Sequence, residues 1–188
     1  MLCGGLARGS LVCEPCLGDL PWLRERAPDG AIAAFEYRFP VDRLVRRFKF
    51  GGDLAIGQWL GEQLAGRLRG TDTPDLLVAP PLSPRALRER GFNQAVELAK
   101  SVARALDVRV EIAALRKVKE TAPQRTLGRR QRQSNLRGAF VCDIDLRRAD
   151  VAIVDDVITT GATARSVAAA LRRAGARSVR VWAAARAP

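Results

Sequence analysis

Short, continuous apolar runs alternate along the chain with stretches in which apolar residues recur every third or fourth position. The runs at 31–37, 76–79, 151–154 and 178–185 read as strands buried on both faces, as in a parallel sheet. Between them, Val41, Leu44, Val45 and Phe48 fall at helical spacing over 41–50, with Arg43, Arg46 and Arg47 opposite, and Gly51-Gly52 stops the pattern. A second helix is expected over 54–68. Asn93 can cap a third over 94–106, and a fourth runs over 162–174 until Gly175. Residues 108–115 read as a further strand and 139–142 as an edge strand. Pro80-Pro81 closes the run at 76–79, and 23–30, with Pro28 and Gly30, reads as a linker. Residues 116–137 are basic, polar and without apolar periodicity, so they read as a long loop with a helical turn. Strand and helix in alternation imply an α/β fold, a parallel sheet flanked by helices with right-handed crossovers. No internal repeat is visible.

The run at 151–154 leads into chemistry. Asp155 and Asp156 follow it directly, and then come Val157, Ile158, Thr159, Thr160, Gly161, Ala162 and Thr163. In open α/β sheets ligands gather at the carboxyl ends of strands. Adjacent carboxylates can accept hydrogen bonds from a vicinal diol such as that of a ribose. The first N–H groups of the following helix lack intrahelical acceptors. With the hydroxyls of Thr159, Thr160 and Thr163 they suit a phosphate, and Gly161 allows close backbone approach. The spacing is that of neither a P-loop nor a dinucleotide fingerprint.

Composition narrows the picture. The chain has 188 residues, 47% of them hydrophobic, which suits one compact domain, residues 31–188, plus a small appendage, residues 1–22. No apolar run reaches the roughly 20 residues that span a bilayer, and the start shows no signal peptide. The expectation is a cytoplasmic protein without membrane insertion. The formal charge is +12. Lysine stands only at 49, 100, 117 and 119, so arginine dominates. GC-rich coding accounts for arginine over lysine, but not for the excess of basic over acidic residues, which a polyanionic partner would explain. Histidine is absent, which excludes a His general base, a Ser-His-Asp triad and His-ligated metal. Aromatic residues form no RNP motif or evident stacking platform.

The segment 151–163 resembles the phosphoribosyl-pyrophosphate (PRPP) loop of type I phosphoribosyltransferases: an apolar strand, two acids, then Thr-Thr-Gly-x-Thr. Phe48-Lys49-Phe50-Gly51-Gly52-Asp53 resembles the ComF/GntX family. So does the 78–82 run followed by Arg85, Arg88, Arg90, Gly91, Phe92, Asn93 and Gln94, and so do Thr121, Gln124, Arg132, Asn135 and Phe140. The resemblance covers nearly the whole chain. It implies a type I phosphoribosyltransferase-like sheet and a link to DNA uptake in natural transformation. It implies PRPP or a ribose 5-phosphate compound as ligand, with Mg2+ on the pyrophosphate. Asp155 and Asp156 would hold the ribose and act in catalysis, and residues 157–163 would hold the 5-phosphate. Pro80 and Pro81 would form the pyrophosphate loop, with Arg85 and Arg90 as its donors. Residues 117–135 fall where this superfamily carries a lid, and there Lys117, Lys119, Arg125, Arg129, Arg130 and Arg132 could close over pyrophosphate. The same cations could follow a nucleic-acid backbone. Two readings therefore stand together. One is a phosphoribosyltransferase. The other is a non-catalytic nucleotide sensor that binds single-stranded DNA or a competence helicase. Acceptor base and oligomeric state stay open.

Cys3, Cys13 and Cys16 make a partial zinc-ribbon pattern, with Cys13-x-x-Cys16 as one knuckle. Four thiolates would complete a tetrahedral Zn2+ site. The family pattern sets the missing cysteine three residues before Cys3, just upstream of Met1, so the natural chain is expected to begin earlier. Glu14 or Asp19 as a fourth ligand is the alternative, as is a decayed module. Cys142 reads as a small buried hydrophobe.

Overall fold

A computed structural model describes residues 11–23, 29–119 and 138–188. Within them run α1 (Glu14–Gly18), β1 (Ile32–Glu36), α2 (Val41–Gly51), α3 (Leu54–Leu68), β2 (Leu76–Val78), α4 (Pro84–Arg90) and α5 (Gln94–Leu106). Then come β3 (Arg109–Glu111), β4 (Leu115–Lys117), β5 (Phe140–Cys142), β6 (Asp150–Ile158), α6 (Ala162–Arg173) and β7 (Ser178–Arg186). The main sheet has the order β1-β7-β6-β2-β3, and every pairing in it is parallel. The alternation of apolar runs and amphipathic stretches thus folds as an α/β layer structure.

Two expectations are corrected. Residues 108–115 are not one strand. They bend at 112–114, where Ile112 is exposed, and divide between β3 in the main sheet and β4. The stretch at 139–142 is not an edge of the main sheet either: β5 pairs antiparallel with β4 in a separate two-stranded sheet. A third feature was not foreseen. The arginines at 85, 88 and 90 lie on α4, capped by Ser83, whose hydroxyl accepts from Ala86 N–H, and opened by Pro84.

Side chains on the two faces of the sheet build two cores. Ala152 and Val154 of β6 join Leu44, Val45 and Phe48 of α2, Ile56, Leu60 and Leu64 of α3, and Leu98 and Val102 of α5. Val151 and Ile153 face the other way and join Leu115, Phe140, Val167 and Leu171. Full burial of side chains of this size contributes about 1.5–3 kcal/mol each. On the first face α3 approaches its neighbours through glycine. A Cβ on Gly57 would stand 2.3 Å from the Phe48 ring, and one on Gly61 would stand 2.5 Å from Ser101 Cβ.

Residues 11–23 pack on the same core. Val12 and Leu20 are buried in it, and the Trp22 ring lies 4.4 Å from that of Phe35. Leu23 N–H donates to Ala34 C=O, and Glu36 N–H donates to Pro21 C=O, so this segment lines the outer edge of β1. Among the described residues, no helix is long and apolar enough to cross a membrane.

Candidate functional site

The central strand β6 carries the acid pair. β2 accompanies β6 only as far as Val78, opposite Ile153. The chain then turns away at Pro80-Pro81, since proline has no N–H for a ladder. On its other side β6 stays paired with β7 to Ile158. Asp155 and Asp156 therefore lie inside β6, just past the point where β2 leaves, at the mouth of a crevice on the carboxyl edge of the sheet.

Adjacent strand residues point to opposite faces. Asp156 shares the face of Ala152 and Val154, and Asp155 that of Val151 and Ile153. The Oδ1 of Asp155 accepts from the N–H of Asp156 at 2.8 Å, and the Oδ1 of Asp156 accepts from the N–H of Val157 at 2.8 Å. These bonds fix both carboxyl groups against the backbone. Asp156 is buried, and its Oδ2 lies 2.5 Å from Lys49 Nζ. That oxygen is closed off from solvent and held against the ammonium. Asp155 retains some exposed surface but is closely walled in. Burial, then the negative charge of Asp156, push its carboxyl up to about 8, against the smaller opposing pull of Lys49.

Past the strand, Thr159 is exposed and Thr160 and Thr163 are partly so. Gly161 has φ 69°, left-handed, and starts α6 without a side-chain cap. A Cβ there would also stand 3.0 Å from an Arg165 guanidinium nitrogen. The positive φ calls for glycine, while the flexible end of Arg165 could give way. Thr160 Oγ1 accepts from Ala162 N–H at 3.4 Å, and Arg165 donates back to Thr160 C=O at 2.8 Å. The first N–H groups of α6 have no intrahelical acceptor and, with the aligned dipole, favour an anion. Arg186, at the end of β7 beside Ile158, is clamped by Asp29. The Arg186 contact holds that carboxyl below its ordinary range, against the cost of its burial.

The second wall comes from 80–94. Asn93 does two jobs. Its Oδ1 caps α5 by accepting from Ala95 N–H, and its Nδ2 donates to Pro80 C=O at 3.0 Å. Gln94 is buried. Its Nε2 donates to Lys49 C=O at 3.4 Å, and its Oε1 accepts from Arg90 at 3.0 Å. Arg90 also lies 5.5 Å over the Phe50 ring. Arg90 is thus built into the crevice wall, whereas Arg85 is exposed and pairs with Glu89 along α4. Lys117 sits on β4 opposite Phe140, on the Asp155 side of the sheet.

Sequence reasoning missed Lys49, Arg165 and Arg186 as neighbours of the site. Only the family motif around Phe48 pointed at Lys49. Thr121, Gln124, Arg125, Arg129, Arg130, Arg132 and Asn135 lie outside the described residues, as does Cys3. Cys13 caps α1 and Cys16 lies within it. No three His, Cys, Asp or Glu side chains converge on a metal site among the described residues.

Comparison with known proteins agrees with this architecture. A phosphoribosyl transferase domain matches residues 93–188, which carry Asn93, the acid pair and the loop after it. The DNA utilization protein YhgH of Escherichia coli O6:H1 is 34% identical over 92% of this chain and 76% of its own length. Competence protein F of Haemophilus influenzae is 33% identical over 93% of this chain and 78% of its own. A solved glutamine PRPP amidotransferase from B. subtilis, 22% identical, covers 68% of this chain and superposes with a TM-score of 0.47. This chain spans only 26% of that one. The domain match and the two relatives together place the chain in the ComF family of phosphoribosyltransferase-like proteins.

Proposed function

We propose that the chain binds PRPP, carried as its Mg2+ complex, or a related ribose 5-phosphate compound, in the crevice where β2 leaves β6. The observation that carries this reading is the buried, backbone-fixed acid pair followed at once by a left-handed glycine and the open N-terminus of α6. Asp155 and Asp156 accept the ribose hydroxyls. The N–H groups and hydroxyls of residues 157–163 take the 5-phosphate. The loop at Pro80 and Pro81, with Arg90 and the exposed charge of Arg85, faces the pyrophosphate, and Lys117 belongs to the same basic rim. Guanidinium groups match phosphate oxygens in pairs.

In turnover, an acceptor lone pair would form a bond to ribose C1 as the C1–O bond breaks. Pyrophosphate would leave with the bonding electrons, its charge neutralised by its own Mg2+. The negative charge of the acid pair would stabilise the positive charge developing on the ring, and the phosphate loop would fix its position. Titration calorimetry with Mg-PRPP tests the binding step. Asp155→Asn combined with Asp156→Asn should lose at least about tenfold in affinity, or about 1.4 kcal/mol. Affinity equal to wild type removes the ribose role.

A second reading has its own support. Arg43, Arg46 and Arg47 form an exposed row along α2, and the relatives' names speak of DNA utilization and competence. On this reading the pocket senses a nucleotide without turnover, while the basic surface holds single-stranded DNA or a helicase partner. For zinc, Cys13 and Cys16 supply half of a tetrahedral shell. In sequence Cys3 offers a third thiolate, and Glu14 or Asp19 the fourth ligand.

A further inference from the structure

We infer that Lys49 is a further positioning residue of this site: its ammonium fixes the orientation of the Asp156 carboxylate beside the ribose, and the Lys49–Phe50 end of α2 ties that carboxylate to the arginine wall of the crevice. This rests on the ribose-binding role proposed above for the acid pair.

Three observations support it. The ion pair is largely shielded, with 23% of the Lys49 side chain and 9% of the Asp156 side chain exposed. Exposed pairs are worth little. A shielded one acts through a lower dielectric, and loss of one partner leaves the other charge uncompensated. Second, the carboxylate is held at both oxygens: Oδ2 lies against Lys49 and Oδ1 accepts from Val157 N–H, so its orientation is fixed. Third, the same turn of α2 reaches the opposite wall. Lys49 C=O receives Gln94, Gln94 receives Arg90, and Arg90 covers Phe50. A shift of the α2 terminus therefore moves the ribose acceptor and the anion donor together.

The ionisable groups acting on Asp155 are Asp156, from the same strand, and Lys49, from α2. The buried polar group that α5 sets against Lys49 is neutral Gln94. Lys49 thus opposes the upward push that burial and Asp156 exert on Asp155.

The test uses the full chain and the variants Lys49→Met and Lys49→Arg. Carbon-13 NMR of the aspartate carboxyls, assigned with the two Asp→Asn variants, follows ionisation without ligand. In Lys49→Met the ionisation of Asp155 should move further up, because the opposing pull of Lys49 is lost. Lys49→Arg should restore it. Calorimetry with Mg-PRPP at pH 7 should show about tenfold or greater loss for Lys49→Met and recovery to within about threefold for Lys49→Arg. A merely structural lysine would lower the melting temperature and leave the carboxyl titration in place.

If wild type binds PRPP and Lys49→Met keeps both affinity and titration, the inference falls and the proposed function stands. If wild type does not bind PRPP, the ribose role falls with it, and a Lys49-dependent titration leaves only the electrostatic hold on the acid pair. Should Lys49→Met not fold, Lys49→Arg decides: loss of binding with the charge retained overturns the inference.

Discussion

At the residue scale, Asp155 opposes the fold that carries it. Its carboxyl is pushed up to about 8 by burial and by Asp156, from an ordinary 3.8. Between those values the folded protein holds a proton that the unfolded chain releases. Stability from this group is therefore greatest below the unfolded value, falls as pH rises through the window, and levels off above about 8. Asp155→Asn keeps the Oδ1 acceptor for Asp156 N–H and cannot ionise. The variant and wild type should melt alike near pH 4, and the variant should gain steadily to pH 8. Thermal melts across that range check this, and a variant less stable than wild type at pH 8 would contradict the burial. The acid pair and the glycine after it could be read directly from the sequence, because strand, acids and loop are contiguous. Lys49 could not, since its partner comes from the other half of the chain. Nor did adjacency in sequence reveal that the two acids lie on opposite faces of β6.

At the element scale, α3 shows how far periodicity reaches. Its span was evident from the apolar spacing, but the role of its glycines was not, because what a missing Cβ makes room for belongs to other helices. A methyl group on Gly57 would collide with the buried Phe48 ring, whereas Gly66, on the exposed side, would meet nothing within 4 Å. Gly57→Ala should destabilise by about 1–3 kcal/mol through overpacking, more than the helical preference for alanine returns. Gly66→Ala should stabilise by about 0.5–1 kcal/mol. Urea unfolding of the two variants measures both, and a shared sign would show that helix propensity rather than packing governs α3. β3 and β4 were merged in the sequence reading because three-residue strands are too short to show a period. The Ser83-Pro84 start of α4 was legible, but the arginines after it drew the reading toward a loop.

At the scale of the whole molecule, the +12 charge and the arginine row of α2 give the DNA reading a measurable form. Binding to single-stranded DNA should be weak and tolerant of sequence, and should fall steeply between about 50 and 200 mM salt as counterions are released. Fluorescence anisotropy with a labelled oligonucleotide would show this. Absent binding at low salt, or binding indifferent to salt, rules it out. The layered α/β architecture was legible from the alternation of patterns. The strand order was not, because a buried apolar run does not say which other run lies beside it.

That order governs when the molecule can be assembled. Within the main sheet β1 has one neighbour among the described strands, β7, which is made about 140 residues later. Until then its Ala33, Ala34 and Phe35, all buried in the finished fold, have residues 21–23 along one edge and lack their sheet neighbour on the other. Loop closure between such distant segments comes late and slowly. A chain released before β7 is complete would present β1 as an open edge, ready to pair with another copy. Quality control in the cell would therefore act on β1 in any chain that lacks β7.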